Sequence, residues 1–457
     1  MGGTINKMNR LYTFKENKII PIDKSEKDEY MQELLDTEFG KKRSSVADET
    51  NDLIKRYGFS WDPLATAGYL TFRPYAAYME DATKLHIWKE VQKFCQRNDI
   101  PLQRIEGGDL YSLKNNLMKK HVELAEKVGM YGDGLLKVNN EHILRFSGCS
   151  NKLSLLKQVN FDNKKLPFGI FEISDSYRYE QEDRLNLLVR NRLFHLPELH
   201  IINENLKQGL DMLLKGHKQM VSDMKKNNME YIMLFSTTQK FVKENAEFIS
   251  EIVKGCMHSP IINIAEEDTC ENGIVFDVEY KARMQNGSLV EIGTFQIDEG
   301  TTDFAYDIKY RNKPVITVHA VFFGSSIERT IFTYCDKAAN SNEKMPEWLV
   351  PVQCRLIPDN TKDIDFTINL GDKLRNKMRI EIDDRNICNE EKLKDALSLK
   401  VPYIIHIIDQ NNMEIFENNI KKFKKINIDI FSSLAPSDFN IFNQYSPMLL
   451  SERIINI

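Results

Sequence analysis

Residues 176–200 read SYRYEQEDRLNLLVRNRLFHLPELH, four arginines in 25 positions and a histidine at the end. The preceding FGIFEISD (168–175) and the stretch up to Glu180 alternate as a strand does, QEDRLN is polar enough for a loop, and LNLLVRNRLFHL (185–196) reads as a returning strand. Side chains two apart share a face of a strand. Glu172, Ser174, Ser176, Arg178 and Glu180 therefore share one face. Arg190, Arg192, Phe194, Leu196, Glu198 and His200 share a face of the return. Pro197 is expected to bend or bulge that strand. Folded as a hairpin, the segment gathers fixed cations, an acid, an aromatic ring and an imidazole on one sheet surface. Such a surface suits a nucleoside triphosphate, because arginine forks bind phosphate oxygens and offset charge developing at phosphorus. A salt-bridged, solvated sheet face is the plain structural alternative.

Outward from this hairpin, a helix is expected over 76–98 and another over 112–129. Further elements are a long helix after 203, a strand YIMLFST (231–237), a helix over 239–255, and a hairpin 275–298 turned by Asn286-Gly287. PVITVHAVFFGSSIERTIFTYCDKAA (314–339) reads as a strand running into a helix. After a short linker (339–347) strands and helices alternate, as in a small α/β unit with a mostly parallel sheet. The expected organisation is α+β: a polar N-terminal extension (1–47), a large mixed domain with an antiparallel sheet flanked by helices (48–340), and a compact α/β domain (348–457).

The bulk numbers narrow the class. A chain of 457 residues with net charge −5 has ample core and is not a general polyanion binder. No apolar run approaches the roughly 20 residues of a membrane span, and the N-terminus lacks a signal-peptide core. Seven dispersed cysteines point to a reducing cytoplasm rather than a disulfide framework.

The central segment resembles motif 2 of class II aminoacyl-tRNA synthetases, and more narrowly threonyl-tRNA synthetases of the archaeal type. SDSYRYEQ, RNRLF and LPELH match the family's SxYSFRYEQ…RxRxFTMPDMH. The resemblance implies that Arg178 holds the α-phosphate of ATP, that Glu180 contacts the adenine side, that Arg190 is a second ATP-binding arginine, and that Phe194 stacks on adenine. It places a zinc ligand at His200. The family's other two ligands follow LRF and precede motif 3, which here gives Cys149 in LRFSGCSN and His319 in PVITVHAV. Three protein ligands with an open fourth position characterise a catalytic zinc. Such a site can take both the amino group and the hydroxyl of threonine. Valine offers no second oxygen ligand, whereas serine differs by one methyl, worth roughly 1–3 kcal/mol. Glu198 stands where the family has aspartate, one methylene shorter. GSSIER (324–329) resembles motif 3, with Arg329 for the γ-phosphate. EIGTFQID (291–298) resembles a family strand, with Glu291 as the ATP–Mg²⁺ acid and Gln296 on the substrate side. Strict alternation sets these two on opposite faces unless Gly293 hosts a bulge.

Cys256 and His258 in GCMHSP are an alternative ligand pair without a second pair beside them. His86, His121, His142, His195, His217 and His406 have no evident chemical neighbours. Motif 1 departs from its pattern, since PLQRIEGGDLYS (101–112) carries Gly107-Gly108 near the expected proline. The C-terminal region resembles the anticodon-binding domain of threonyl-, prolyl-, histidyl- and glycyl-tRNA synthetases, with Arg385 and Asp395 as anticodon contacts. The basic run NNIKKFKKIN (418–427) is either a tRNA contact or a solvated helix face.

The resemblance therefore implies a cytoplasmic threonine–tRNA ligase that uses ATP, Mg²⁺ and Zn²⁺, acts on threonine and tRNA(Thr), and forms a homodimer. About 47 residues are too few for the family's N-terminal editing domain, so serine correction is expected either to need a separate trans-editing protein or not to occur. The other reading is a synthetase-like, non-charging tRNA-binding or regulatory protein.

Overall fold

The computed structural model describes residues 11–16, 18–22, 28–40, 46–128, 134–158, 165–266, 274–300, 307–322, 325–340, 344–359, 363–417, 422–427 and 446–453. The chain divides into two compact units. One comprises Met1–Val46, Pro63–Tyr69 and Ile87–Thr333, the other Ala47–Asp62, Leu70–His86 and Tyr334–Ile457.

The first unit is built on a ten-stranded sheet. In chain order its strands are β1 (Leu11–Lys15), β2 (Lys18–Pro21), β3 (Leu102–Arg104), β4 (Phe168–Tyr177), β5 (Leu193–Asn203), β6 (Tyr231–Thr238), β7 (Ile261–Ala265), β8 (Phe276–Arg283), β9 (Leu289–Asp298) and β10 (Ile316–Val321). Their spatial order is β2-β1-β7-β6-β8-β9-β10-β5-β4-β3. All neighbours are antiparallel except β6/β7 and β3/β4. The expected α+β class with an antiparallel-dominated sheet is what forms. The described residues up to Val46 are not a separate extension: β1 pairs with β7, and the helix α1 (Glu29–Leu34) buries Tyr30, Met31 and Leu34 against Leu11, Ile232, Leu234 and Ile261. Asp28 caps that helix by accepting from the N–H groups of Tyr30 and Met31.

One long helix, α3 (Leu206–Lys226), lies against the sheet, and α2 (Cys149–Leu156) lies beside β5. Helix α3 buries Met212, Leu213, His217, Met220 and Met224 at helical spacing. Asn205 caps its start, and Lys225 and Lys226 sit in its last turn, where cations suit the helix dipole. The expected helix 239–255 breaks at Asn245 into Gln239–Glu244 and Ala246–Val253.

Three local readings differ from expectation near the site. The return strand begins at Leu193, not Leu185, so Arg190 and Arg192 lie in the loop and not on a strand face. Loop bonds account for this. Arg190 N–H donates to the Asn186 carbonyl at 2.8 Å, Leu188 adopts φ +65°, and Arg192 N–H donates to Gly68 O at 2.8 Å. Pro197 does not bend β5, whose pairing with β4 runs unbroken from Leu193↔Tyr177 to Ile202↔Phe168. On its other side β5 pairs with β10 only from Leu199 onward. The N–H of His195, two positions earlier, points to the Glu328 carboxylate, so Pro197 nitrogen faces that open side and no ladder bond is lost. In the β8–β9 turn Gly287 alone takes a positive φ, +85°, and Asn286 does not.

The second unit has a five-stranded sheet of β11 (Cys354–Pro358), β12 (Ile380–Ile382), β13 (Tyr403–Ile407), β14 (Met413–Glu417) and β15 (Lys422–Lys425), ordered β12-β11-β13-β14-β15. The β12, β11 and β13 strands are parallel. Helix Asp48–Arg56 and its neighbours belong to this unit, through bonds such as Tyr57 Oη to Leu399 O at 2.8 Å and Thr50 Oγ1 to Asp336 at 2.8 Å. The expected domain 48–340 therefore took in residues 48–62, 70–86 and 334–340, which belong to the second unit. Of the basic run, 422–425 form an edge strand rather than a helix face, and 418–421 lie outside the described residues.

Candidate active site

Adjacent strands and one helix N-terminus assemble the first cluster. His200 on β5 stands directly opposite His319 on β10, with ring centroids 4.6 Å apart. Cys149 is the first residue of α2. One ligand atom from each of Cys149, His200 and His319 lies within 4.8 Å of the others, the one such set of His, Cys, Asp or Glu among the described residues. Cys256 and His258 form no such set. The Cys256 thiol faces the Ile252 carbonyl at 3.3 Å, and His258 stacks on Tyr30.

The chemistry of the three donors fits a soft, borderline metal such as zinc. His200 Nδ1 is buried with no hydrogen-bond partner, which is costly unless something else takes the lone pair. Burial, reinforced by His319 and Lys152, holds the His200 imidazolium well below its ordinary pKa, so the ring is the neutral, ligating form. Burial, with Glu198 beside it, pushes the Cys149 thiol up; only a cation at the site would favour the thiolate. His319 Nδ1 lies 3.0 Å from Gln296 Oε1. Since that amide oxygen can only accept, Nδ1 carries the proton and Nε2 keeps its lone pair. Gln296 Nε2 in turn donates to Asp277 at 3.2 Å, and Thr294 Oγ1 donates to the other Asp277 oxygen at 2.8 Å. Burial and the nearby Glu279 raise the Asp277 carboxyl well above its ordinary value despite these bonds.

Around this cluster lies a buried ion network that the sequence reading did not pick out. Lys152 Nζ is 2.9 Å from Glu198 and 3.4 Å from Glu172, and Arg145 is 2.7 Å from Glu172. Burial works to raise the Glu198 carboxyl, but the charge of Lys152 foremost outweighs it and holds it well below the usual range. Glu198 Oε1 is 3.2 Å from His319 Nε2 and 3.5 Å from Cys149 Sγ. The (i, i+3) spacing of Cys149 and Lys152 on one helix face was the available signal.

The second cluster holds the arginines. Arg178 lies over the Phe194 ring at 5.0 Å. Arg190 reaches Glu180 at 3.3 Å. Arg192 is buried, stacks on Tyr179 and donates to Glu180 O and Thr66 Oγ1. Arg329, in the first turn of α4 (Ile327–Asn340), donates to Val189 O at 3.0 Å and to Glu291 Oε2 at 3.3 Å. Ser325, at φ +67°, donates to the other Glu291 oxygen at 2.8 Å; Gly324 of GSSIER lies outside the described residues. Burial favours a neutral Glu291, but Lys281, Arg329, Ser325 and Arg178 outweigh it and lower its pKa.

Glu291 and Gln296 share this site because β9 slips against β8. Tyr280 pairs with Gly293 and Lys281 with Glu291, so Ile292 is an extra residue. One extra residue inverts the parity and brings both side chains to one face. His195 also has a partner: its Nδ1 lies 2.6 Å from the buried Glu328, tying β5 to α4.

In the second unit, Arg385 and Asp395 do meet, at 2.9 Å. They are bound into a larger network in which Arg385 also holds Asp383, and the buried Arg355 spans Asp395 and Glu381, both at 2.7 Å.

Residues 136–338 match the family model of the tRNA synthetase class II core domain (G, H, P, S and T). Residues 136–338 thus carry a class II tRNA synthetase core domain. Over most of its length it is similar to archaeal threonine–tRNA ligases: 29% identical to that of Nanoarchaeum equitans over 89% of this chain, and 30% identical to that of Staphylothermus marinus over 86%. It spans 65% and 64% of the length of these two relatives. Among solved structures, the RNA-binding domain of threonyl-tRNA synthetase from Cryptosporidium parvum superposes with a TM-score of 0.68 at 14% identity, covering 85% of this chain and 98% of that one. Prolyl-tRNA synthetase from the same organism gives 0.60 at 11% identity, covering 84% of this chain and 76% of that one. At such identities the likeness concerns the fold.

Proposed function

We propose that this protein is a threonine–tRNA ligase. The observation that carries the reading is the convergence of Cys149, His200 and His319 within 4.8 Å at the sheet that also carries Phe194, with Arg178 just past the end of β4. Phe194 and His200 are six positions apart on β5, about 20 Å of strand, a span that suits an adenylate lying along the sheet. Adenine stacks on Phe194 with Glu180 and Arg190 at its side. Arg178 holds the α-phosphate, and Arg329 exchanges Glu291 for the γ-phosphate. Glu291, kept ionised, would hold Mg²⁺. Cys149, His200 and His319 would hold Zn²⁺, which supplies an anchor for the amino group and hydroxyl of threonine. Glu198 and Gln296 line the amino-acid end.

The threonine carboxylate attacks the α-phosphorus, the bond to the bridging oxygen breaks, and pyrophosphate leaves. Arg178 and Arg329 offset the charge that builds on the phosphate oxygens. The terminal ribose hydroxyl of tRNA(Thr) then takes the threonyl group and AMP leaves. Positioning and fixed charge do most of the work. The second unit would meet the tRNA through Arg385 and Asp395 only once their mutual ion pair opens, and the protein works as a homodimer.

The test is threonine-dependent ATP–pyrophosphate exchange, with and without a zinc chelator. Exchange that needs threonine and is lost on chelation supports the reading. Absence of exchange at high protein concentration moves it to the second reading, a non-charging tRNA-binding or regulatory protein. The mutual ion pairing of Arg385 and Asp395, which occupies both proposed anticodon contacts, favours that alternative.

A further inference from the structure

We propose that Lys152 is a positioning residue for amino-acid selection: by holding one oxygen of Glu198 it keeps that carboxylate off the metal and leaves the fourth metal position open. The inference rests on the metal-binding reading above.

Glu198 Oε1 stands 3.2 Å from His319 Nε2 and 3.5 Å from Cys149 Sγ. Two nitrogen or oxygen donors on one tetrahedral zinc stand about 3.4 Å apart, given bonds near 2.1 Å. Glu198 is therefore within reach of becoming a fourth protein ligand. The aspartate of the related pattern is about 1.5 Å shorter and does not pose this hazard. A Cys-His-His-Glu set would be closed, the arrangement of a structural rather than a catalytic zinc.

The other oxygen, Oε2, is held by Lys152 Nζ at 2.9 Å and by Ser174 Oγ at 3.4 Å. Lys152 is fully buried and anchored on its far side by Glu172. It sits three residues after Cys149 on α2, so the helix that presents the thiol also presents the ammonium. The backbone is shaped for this pair: a Cβ on Gly148 would lie 2.2 Å from Glu198 Oε2 and 2.6 Å from Lys152 Nζ. Lys152 and Arg145 balance Glu172 and Glu198 in number, so charge balance alone is the competing account.

The full chain is loaded with cobalt(II), and its visible absorption is followed as threonine is added, for wild type, Lys152→Met and Lys152→Met/Glu198→Asp. Zinc affinity is measured by chelator competition. The proposal expects a threonine-dependent spectral change in the wild type. Lys152→Met should bind zinc at least as tightly yet need about tenfold or more threonine for that change. The double variant should regain the response. Lys152→Met that weakens zinc binding, or responds at wild-type threonine concentrations, shows charge balance alone and overturns the proposal. Should Lys152→Met not fold, the double variant decides, and metal binding without a threonine response overturns the proposal. A wild type that binds neither metal, or binds it with no threonine response, overturns the metal reading instead.

Discussion

Replacing Gln296 by leucine removes a side chain that does two jobs at once. Its carbonyl accepts from His319 Nδ1 at 3.0 Å, and its amide donates to Asp277 at 3.2 Å. Leucine keeps the bulk and breaks both bonds. His319 is then free to turn or to move its proton to Nε2, where the lone pair is needed. Hydrogen-bond partners that orient a metal-bound imidazole are typically worth 10–100-fold in metal affinity, or about 1.4–2.8 kcal/mol. Two unpaired buried groups would cost fold stability by about 1–3 kcal/mol each. Gln296→Glu should be far milder. A carboxylate still accepts from Nδ1, and burial, which raises the Asp277 carboxyl, favours the protonated form that can donate the bond the amide supplied. The assay is zinc competition against a chromophoric chelator, with a urea midpoint measured on the same samples. A folded Gln296→Leu protein that binds zinc within twofold of wild type would refute the reasoning, as would Gln296→Glu losing as much as leucine.

Arg329→Ala is expected to lower ATP–pyrophosphate exchange by about 10²–10³-fold while leaving the urea midpoint near wild type, because the Arg329 side chain is 24% exposed and not in the core. Arg355→Met should destabilise the second unit by about 3–5 kcal/mol, since it strips a bidentate partner from the buried Glu381 and one partner from Asp395; a loss under 1 kcal/mol in chemical denaturation would count against that network. His217 is buried with Nδ1 2.8 Å from Tyr280 Oη, and burial pushes its imidazolium down to about 4. Its stabilising effect is complete above pH 6.5 and is lost as pH falls from 6.5 towards 4, on the order of 3 kcal/mol in total. Urea titrations at pH 7 and pH 4.5 on wild type and His217→Gln should show the wild type losing more stability on acidification than the variant.

Much of the site was legible because its residues sit in local patterns. Strand parity places Glu198 and His200 on the face that also carries Ser174 and Glu172, and the pairs Glu172↔Glu198 and Ser176↔Phe194 follow from an uninterrupted hairpin. Where chain geometry alone rules, two-residue alternation suffices. Arg190 and Arg192 escaped that logic, because loop bonds to Asn186 and Gly68 outweigh the strand pattern of 185–192. Parity likewise misplaced Glu291 relative to Gln296 until a single extra residue, Ile292, reversed it.

By itself the sequence determined the element order, the alternation that buries one face of each strand, and which donor types the chain has to offer. Tertiary structure alone decided which donors meet. Cys149, His200 and His319 come from a helix start and two strands separated by long stretches of chain, and only the neighbouring of β5 and β10 sets their spacing. The same holds for Lys152 between Glu172 and Glu198, and for Asp277 behind Gln296. Buried charges have no period of their own; they are tolerated only where the fold brings a counter-charge within about 3 Å, and that depends on which strands pair rather than on any local run of residues.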